Sequence, residues 1–110
     1  AKQFFFVELT AADTVDLCNA ATDLPIGVLQ NKPESGESAE VMIFGISKVN
    51  SDAALSVGNL IGTSADGQAA KKTVGTDTTH YVVGQLLEDG GAAAAIGSAL
   101  INCMNPHRAA

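Results

Sequence analysis

The sequence predicts one domain that is all-β or mainly β, a small barrel or sandwich of short antiparallel strands with at most one or two short helical turns. Short apolar runs, many of them alternating, recur along the chain. Gly, Pro and Asp-Gly signals separate these runs at the close spacing that is typical of small barrels and sandwiches. A length of 110 residues suffices for one core and not for two. We therefore take residues 1–110 as one domain, with 1–10 as a possible N-terminal arm or strand and 105–110 as a tail.

The N-terminal third contains three candidate strands. Gln3–Leu9 alternates, and three consecutive phenylalanines give each of its faces a large apolar side chain. We expect one face to pack on the protein's own core and the other on a neighbour. Residues 14–19 are a second strand or, given the alanines on either side, a short helix. Residues 24–30 are a third strand, opened by Pro25 and bent by Gly27.

The middle of the chain contains the longest predicted strand, residues 39–49. Its apolar side chains occur on both faces, so we expect it to lie in the centre of a sheet, with Gly45 bending it. Residues 31–38 form the preceding turn. Residues 50–57 are predicted as a turn with an alanine-rich helical crossing.

Further strands are predicted at residues 59–63, 80–87 and 95–104. Asp66-Gly67 is a hairpin signal after the first of these strands. Helix competes with strand over Ala92–Ala95, where four alanines favour it locally.

A weak internal repeat is visible in the sequence. Residues 25–30 align with residues 82–87 at an offset of 57, and each segment contains a central glycine, Gly27 or Gly84. Each segment leads into a turn and a return strand. The repeat therefore predicts two similar hairpins that face each other.

The charge balance limits the classes of partner. Six Lys and Arg stand against twelve Asp and Glu, for a net charge of −6. Binding to nucleic acid or to an anionic membrane requires clustered cations, so we expect neither partner. The longest nearly apolar stretch, Gly91–Met104, has 14 residues, and a spanning helix needs about 20.

The residues that usually carry catalysis or bind metal are few. The two histidines and two cysteines, His80, His107, Cys18 and Cys103, form no pair at a recognised zinc-ligand spacing. A Cys103–His107 nucleophile pair would lack an orienting group. We expect no enzymatic activity, no cofactor and no metal. Both cysteines are interpreted as buried small apolar residues, with a disulfide as the alternative.

An acidic turn is the clearest charged feature. Glu34, Glu37 and Glu40 recur every third residue, which would align them on a helix, but Pro33 and Gly36 oppose a helix. A solvated acidic turn is the simplest interpretation. The alternatives are a contact with a basic patch on a partner and a calcium loop, although the alternating ligand pattern of such a loop is missing.

Several segments together carry a resemblance to a known family. They are residues 24–33 (LPIGVLQNKP), 36–41 (GESAEV), 45–49 (GISKV), 54–69 (ALSVGNLIGTSADGQA), 83–88 (VGQLLE) and 105–108 (NPHR). In order and spacing they resemble the small capsid decoration proteins, also called cement or head-stabilising proteins, of tailed bacteriophages. The resemblance covers roughly residues 24–108, and the stretch before it is less similar.

The resemblance implies a β-rich, β-tulip-like fold without enzymatic activity. It also implies that the protein is made in the host cytoplasm and attaches to the outer surface of an icosahedral head. The partner would be the major capsid protein, and homo-oligomers, with trimers favoured, would sit at local threefold positions.

We expect the partner or protomer contacts to include residues of the N-terminus and of the acidic turn. The candidates are Lys2, Phe4, Phe5, Phe6, Glu34 and Glu37. The segment Ala1–Phe6 could dock by strand addition or by placing phenylalanines in a capsid groove. The alternative is that this strand completes the protein's own sheet. A second function hypothesis is a small β-barrel that binds a ligand or carbohydrate on a virion surface, although a single tyrosine and no tryptophan equip it poorly for sugars.

Overall fold

The computed structural model describes residues 3–12, 14–34, 36–88, 92–104 and 106–109. These residues form strands and turns and no helix, so the predicted all-β fold is confirmed. The strands are β1 (Phe6–Ala11), β2 (Thr14–Leu17), β3 (Gly27–Leu29), β4 (Val41–Met42), β5 (Phe44–Asn50), β6 (Leu60–Thr63), β7 (Ala69–Lys71), β8 (Tyr81–Val82), β9 (Gly84–Leu86), β10 (Ile96–Asn102) and β11 (His107–Arg108). None of the described segments could cross a membrane as a helix.

The strands pair antiparallel in two main sheets and one small one. Sheet A has the order β2-β1-β3-β4, sheet B has the order β5-β10-β9-β6-β7, and β8 pairs with β11. Sheets A and B form a sandwich, and over the described residues they do not close into a barrel. The buried core draws on both sheets and on the loops between them: Phe6, Cys18, Val28, Val49, Leu55, Ile61, Ala69, Val83, Leu86, Ala99 and Ile101.

The predicted strand 39–49 is divided between the two sheets. β4 is the last strand of sheet A, whereas β5 is an edge strand of sheet B, so the expected central position is wrong. Ile43 separates the two strands, and Gly45 supplies the φ of +128° at the start of β5. The outward apolar side chains of β5 are exposed, which is why an apolar pattern on both faces did not indicate a central strand.

The predicted strand 80–87 is also divided. β8 pairs with β11, while β9 pairs with β6 and β10, and Val83 lies between them. The described part of the predicted tail is therefore paired with the domain. Ala109 is buried, and its N–H donates to the His80 carbonyl at 3.0 Å.

The helical alternatives are absent from the described residues. The described parts of residues 50–57 and 92–95 form bends and turns, and Ala94 has a φ of +64° that no helix would accept. The hairpin predicted at Asp66-Gly67 is confirmed. It joins β6 to β7, with a φ of +83° at Gly67.

The two segments of the internal repeat both lead into antiparallel hairpins. Gly27 begins β3, which pairs with β4, and Gly84 begins β9, which pairs with β10. The two hairpins lie in different sheets, one on each side of the sandwich. The repeat thus predicted a pair of hairpins, and the fold places one in each sheet.

Candidate protein-interaction surfaces

The outer face of sheet B is unusually apolar where β5 lies beside β10. Alternate residues of a strand point to opposite faces, so Phe44 and Ile46 point outward while Val49 points to the core. The register places Ile46 beside Leu100. Phe44, Ile46 and Leu100 are 57%, 65% and 43% exposed. We call this surface, formed by Phe44, Ile46, Leu100 and Ile96, the β5–β10 face; Ile96 is separated from the other three by the Lys48–Ser98 pair.

This face borders an open strand edge. The Asn50 N–H donates to the Phe4 carbonyl at 3.0 Å, on the side of β5 away from β10. Because backbone groups alternate in direction along an antiparallel strand, the N–H and C=O of Phe44 and Ile46 point to the same open side. An apolar edge strand with free backbone groups is a ready site for pairing or docking.

The phenylalanines predicted as contacts lie mainly inside the domain. Phe5 and Phe6 are 7% and 1% exposed, and Phe6 belongs to the core. The Phe6 N–H donates to the Gly67 carbonyl at 2.7 Å. These two side chains are therefore not available to enter a groove on a partner, because the domain's own interior holds them.

Phe4 is half-buried at the end of β5, where it interacts with Lys48. The Lys48 Nζ lies 6.0 Å from the centre of the Phe4 ring, within the range of a cation–π contact. The Phe4 N–H donates to the Leu29 carbonyl at 2.6 Å, so the chain from this residue onward is bonded to the protein's own strands. Lys2, the remaining N-terminal candidate, lies outside the described residues.

A groove runs along the outer face of sheet A. Its floor and sides are apolar side chains of all four strands: Val7, Leu9, Val15, Leu17, Leu29 and Val41. The loop that contains Glu34 and Glu37 forms one wall, and the volume is about 1060 Å³. We call it the sheet A groove. The structure thus brings Glu34 and Glu37 together in one groove, whose lining does not include Phe4, Phe5 or Phe6.

Hydrogen bonds fix the shape of the acidic wall. The Glu34 N–H donates to Oε1 of Glu37 at 2.7 Å, and the Glu37 N–H donates to the Glu34 carbonyl at 2.9 Å. The Asn31 amide bridges the base of the loop, donating to the Ser38 carbonyl at 3.0 Å and accepting from the Glu40 N–H at 3.1 Å. The turn predicted from Pro33 and Gly36 therefore holds the Glu37 carboxylate at a defined position beside the Glu34 backbone.

Two carboxyl groups and a thiol meet at the end of sheet A. Oxygen atoms of Glu8 and Asp23 and the Cys18 sulfur all lie within 4.8 Å of one another. A hydrogen bond to Asp23, and then burial, raise the pKa of Glu8, while the same bond lowers the pKa of Asp23. Oδ2 of Asp23 also accepts the N–H groups of Asn19 and Ala20, at 2.9 and 3.0 Å. We interpret the cluster as a hydrogen-bonded pair, with the proton on Glu8, that holds the turn after β2.

A buried lysine braces the loop before β8. Lys72 is 4% exposed, and its Nζ lies 2.9 Å from Nδ1 of His80. Oδ1 of Asp77 lies 3.8 Å from the same imidazole nitrogen. Loss of hydration lowers the pKa of Lys72, against the attraction of Asp77 and Asp52. This contact joins two ends of one loop, and no spacing in the sequence indicated it.

Comparison with protein-family models and with curated proteins gives no match for this chain. The predicted turn at Glu34 and Glu37 lies on the wall of the sheet A groove, and their contact with a partner stays a prediction. The β5–β10 face was missed, although its signal was present in the two-sided apolar pattern of residues 39–49.

Proposed function

We propose that this protein is a structural virion component that binds the outer surface of an icosahedral phage head and stabilises the lattice of the major capsid protein. The observation that carries the proposal is the β5–β10 face. A small acidic domain that exposes Phe44, Ile46 and Leu100 beside an open strand edge has a surface suited to burial in an assembly. We propose a phage head as this assembly because several sequence segments resemble capsid decoration proteins.

The proposed role requires a rigid body and many copies. Ligands that bind only one state of a lattice stabilise that state by mass action. An oligomer, for which we favour a trimer, would attach at several points and convert weak single contacts into strong overall binding. In this proposal the β5–β10 face makes the contacts between copies or the contacts with the shell.

The test is binding of the purified protein to undecorated phage heads. Ile46→Glu introduces a charge into the β5–β10 face at a side chain that is 65% exposed, so the fold is expected to survive. Bound protein that sediments with the heads should fall about tenfold or more. Val74→Glu, at a loop side chain that is 58% exposed, is the matched control and should leave occupancy unchanged.

The outcomes separate the parts of the proposal. Sedimentation velocity of the free variants shows whether Ile46→Glu dissociates an oligomer or only weakens contact with heads. If Ile46→Glu and the unmodified protein occupied the heads equally, the β5–β10 face would not be part of the contact with the heads. Failure of the unmodified protein to bind or stabilise any undecorated head would refute the proposed function.

The carbohydrate-binding alternative has no specific support in the described residues. Tyr81 is half-buried, and the Arg108 guanidinium lies 5.6 Å from the centre of its ring. The arginine lies over one face of the ring, where a sugar would otherwise stack. Glycan binding by the isolated protein would favour the alternative.

A further inference from the structure

The sheet A groove is an apolar channel with a buried floor and an open mouth. Val7 and Leu29 at the floor are each 1% exposed, whereas Leu9 at the mouth is 58% exposed. The register explains the continuous apolar surface, because Leu9 lies beside Val15 on β2. A volume of about 1060 Å³ reaches the upper end of the range for small-molecule pockets. A groove of this volume that is open at its mouth suits an extended chain of several residues.

The charges around the groove all have one sign. Asp16, Glu34 and Glu37 are among its lining residues, and none of the lining residues that the structure describes is a lysine, arginine or histidine. Lys32 is adjacent in sequence to the acidic wall and does not line the groove. Asp16 pairs with Glu8 on the other face of the sheet, so the carboxylates that face the groove are those of the Glu34–Glu37 wall. Carboxylates beside an apolar floor complement a segment that carries cations beside apolar side chains.

We propose that the sheet A groove binds an extended segment of a protein partner in which aliphatic side chains alternate with lysine or arginine. The aliphatic side chains pack on Leu9, Val15 and Val41, three lining side chains that are exposed or half-buried. The cationic groups bind Glu34 and Glu37 on the wall. The inference concerns a surface distinct from the β5–β10 face, and it does not depend on the partner being a capsid protein.

The probe is a six-residue peptide, acetylated and amidated, that alternates lysine with valine or leucine. It is titrated into the ¹⁵N-labelled protein at low salt, without phage heads. Amide shifts are expected at Leu9, Val15, Glu34 and Glu37, and not at Leu100 on the opposite sheet. A peptide with glutamate in place of each lysine is expected to bind about tenfold more weakly or not at all.

Matched variants test the two components of recognition. The double variant Glu34→Gln/Glu37→Gln keeps the Oε1 acceptor that fixes the turn and removes both charges. It should weaken peptide binding about tenfold, while Asp52→Asn/Glu88→Gln, which removes two exposed charges elsewhere, should not. Leu9→Thr, at an exposed strand position, should weaken binding by about fivefold.

Three results would overturn the inference. They are no shifts up to about 5 mM peptide, shifts centred outside the groove, and equal binding of the lysine and glutamate peptides. Because this titration uses only the free protein and a peptide, its failure leaves the head-binding experiment unaffected. Failure of head binding likewise leaves the groove measurement intact.

Discussion

At the scale of single residues, the carboxyl pair Glu8–Asp23 couples stability to pH. Glu8 has a raised pKa in the folded state, so its contribution to stability is present at low pH and is lost as the pH rises through that folded-state pKa. Asp23 has a lowered pKa, so its contribution is present above its unfolded value of 3.8 and is lost as the pH falls through its folded-state pKa. The pair is therefore most favourable in the weakly acidic range, with one shared proton.

The substitution Glu8→Gln tests this pair. An amide donates to Asp23 at every pH, so the variant should be more stable than the unmodified protein near pH 7 by about 0.5–1 kcal/mol. Near pH 4, where Glu8 already carries a proton, the gain should shrink. Urea unfolding at the two pH values measures both differences. Glu40→Gln, at an exposed glutamate outside the pair, is the control. If Glu8→Gln raised the free energy of unfolding equally at both pH values, that result would contradict the shared proton.

At the scale of strands and hairpins, glycines set how closely neighbouring strands approach. A Cβ on Gly84 would lie 2.5 Å from the Leu100 carbonyl oxygen and 3.3 Å from Cδ1 of Ile101. A Cβ on Gly27 would collide with the Met42 carbonyl oxygen in the same way. The two glycines of the internal repeat therefore perform the same task, one in each sheet.

The substitution Gly84→Ala should cost about 2–3 kcal/mol, because a strand backbone that cannot move away must absorb the overlap. Gly36→Ala is the matched control. Its Cβ would meet nothing within 4 Å, so the expected cost is only the backbone strain of an alanine at a φ of +86°, about 1 kcal/mol. Chemical denaturation of both variants measures the difference. A smaller loss for Gly84→Ala than for Gly36→Ala would refute the close-approach argument.

The strands show what local pattern can and cannot predict. Short-range signals such as Asp66-Gly67 and the repeated glycine hairpins fixed the elements they belong to, because the turn chemistry is contained in a few residues. The positions at which residues 39–49 and 80–87 change sheets were not predictable. Those changes occur at Ile43 and Val83, whose side chains look like ordinary strand residues, and only the packing of distant strands determines them.

At the scale of the whole molecule, the candidate site was predictable only in part. The sequence identified Glu34 and Glu37 as a possible contact, and the fold places them on the wall of an apolar groove. The sequence also predicted partner contacts at Phe5 and Phe6, but both side chains are buried in the domain. An exposed contact residue and a core residue can both be apolar. The amino-acid composition of a segment therefore cannot show whether its apolar side chains pack in the core or bind a partner.

The two cysteines report on the stability of the whole sandwich. Cys18 is 1% exposed in the core, the half-buried Cys103 packs against that core, and burial raises the pKa of each thiol to about 12. At pH 8 only about one thiol in ten thousand would then be the reactive thiolate. We expect iodoacetamide to modify the native protein at a rate limited by unfolding, and to modify the protein in urea within minutes.

Cys18→Ala and Cys103→Ala, each leaving one thiol, should give equal labelling rates if both thiols become accessible only on global opening. Because a ligand of the folded state suppresses opening by mass action, the proposed binding to undecorated heads should slow labelling of both single-cysteine proteins alike. Fast labelling of one thiol in the native protein would show instead that part of the sandwich opens on its own.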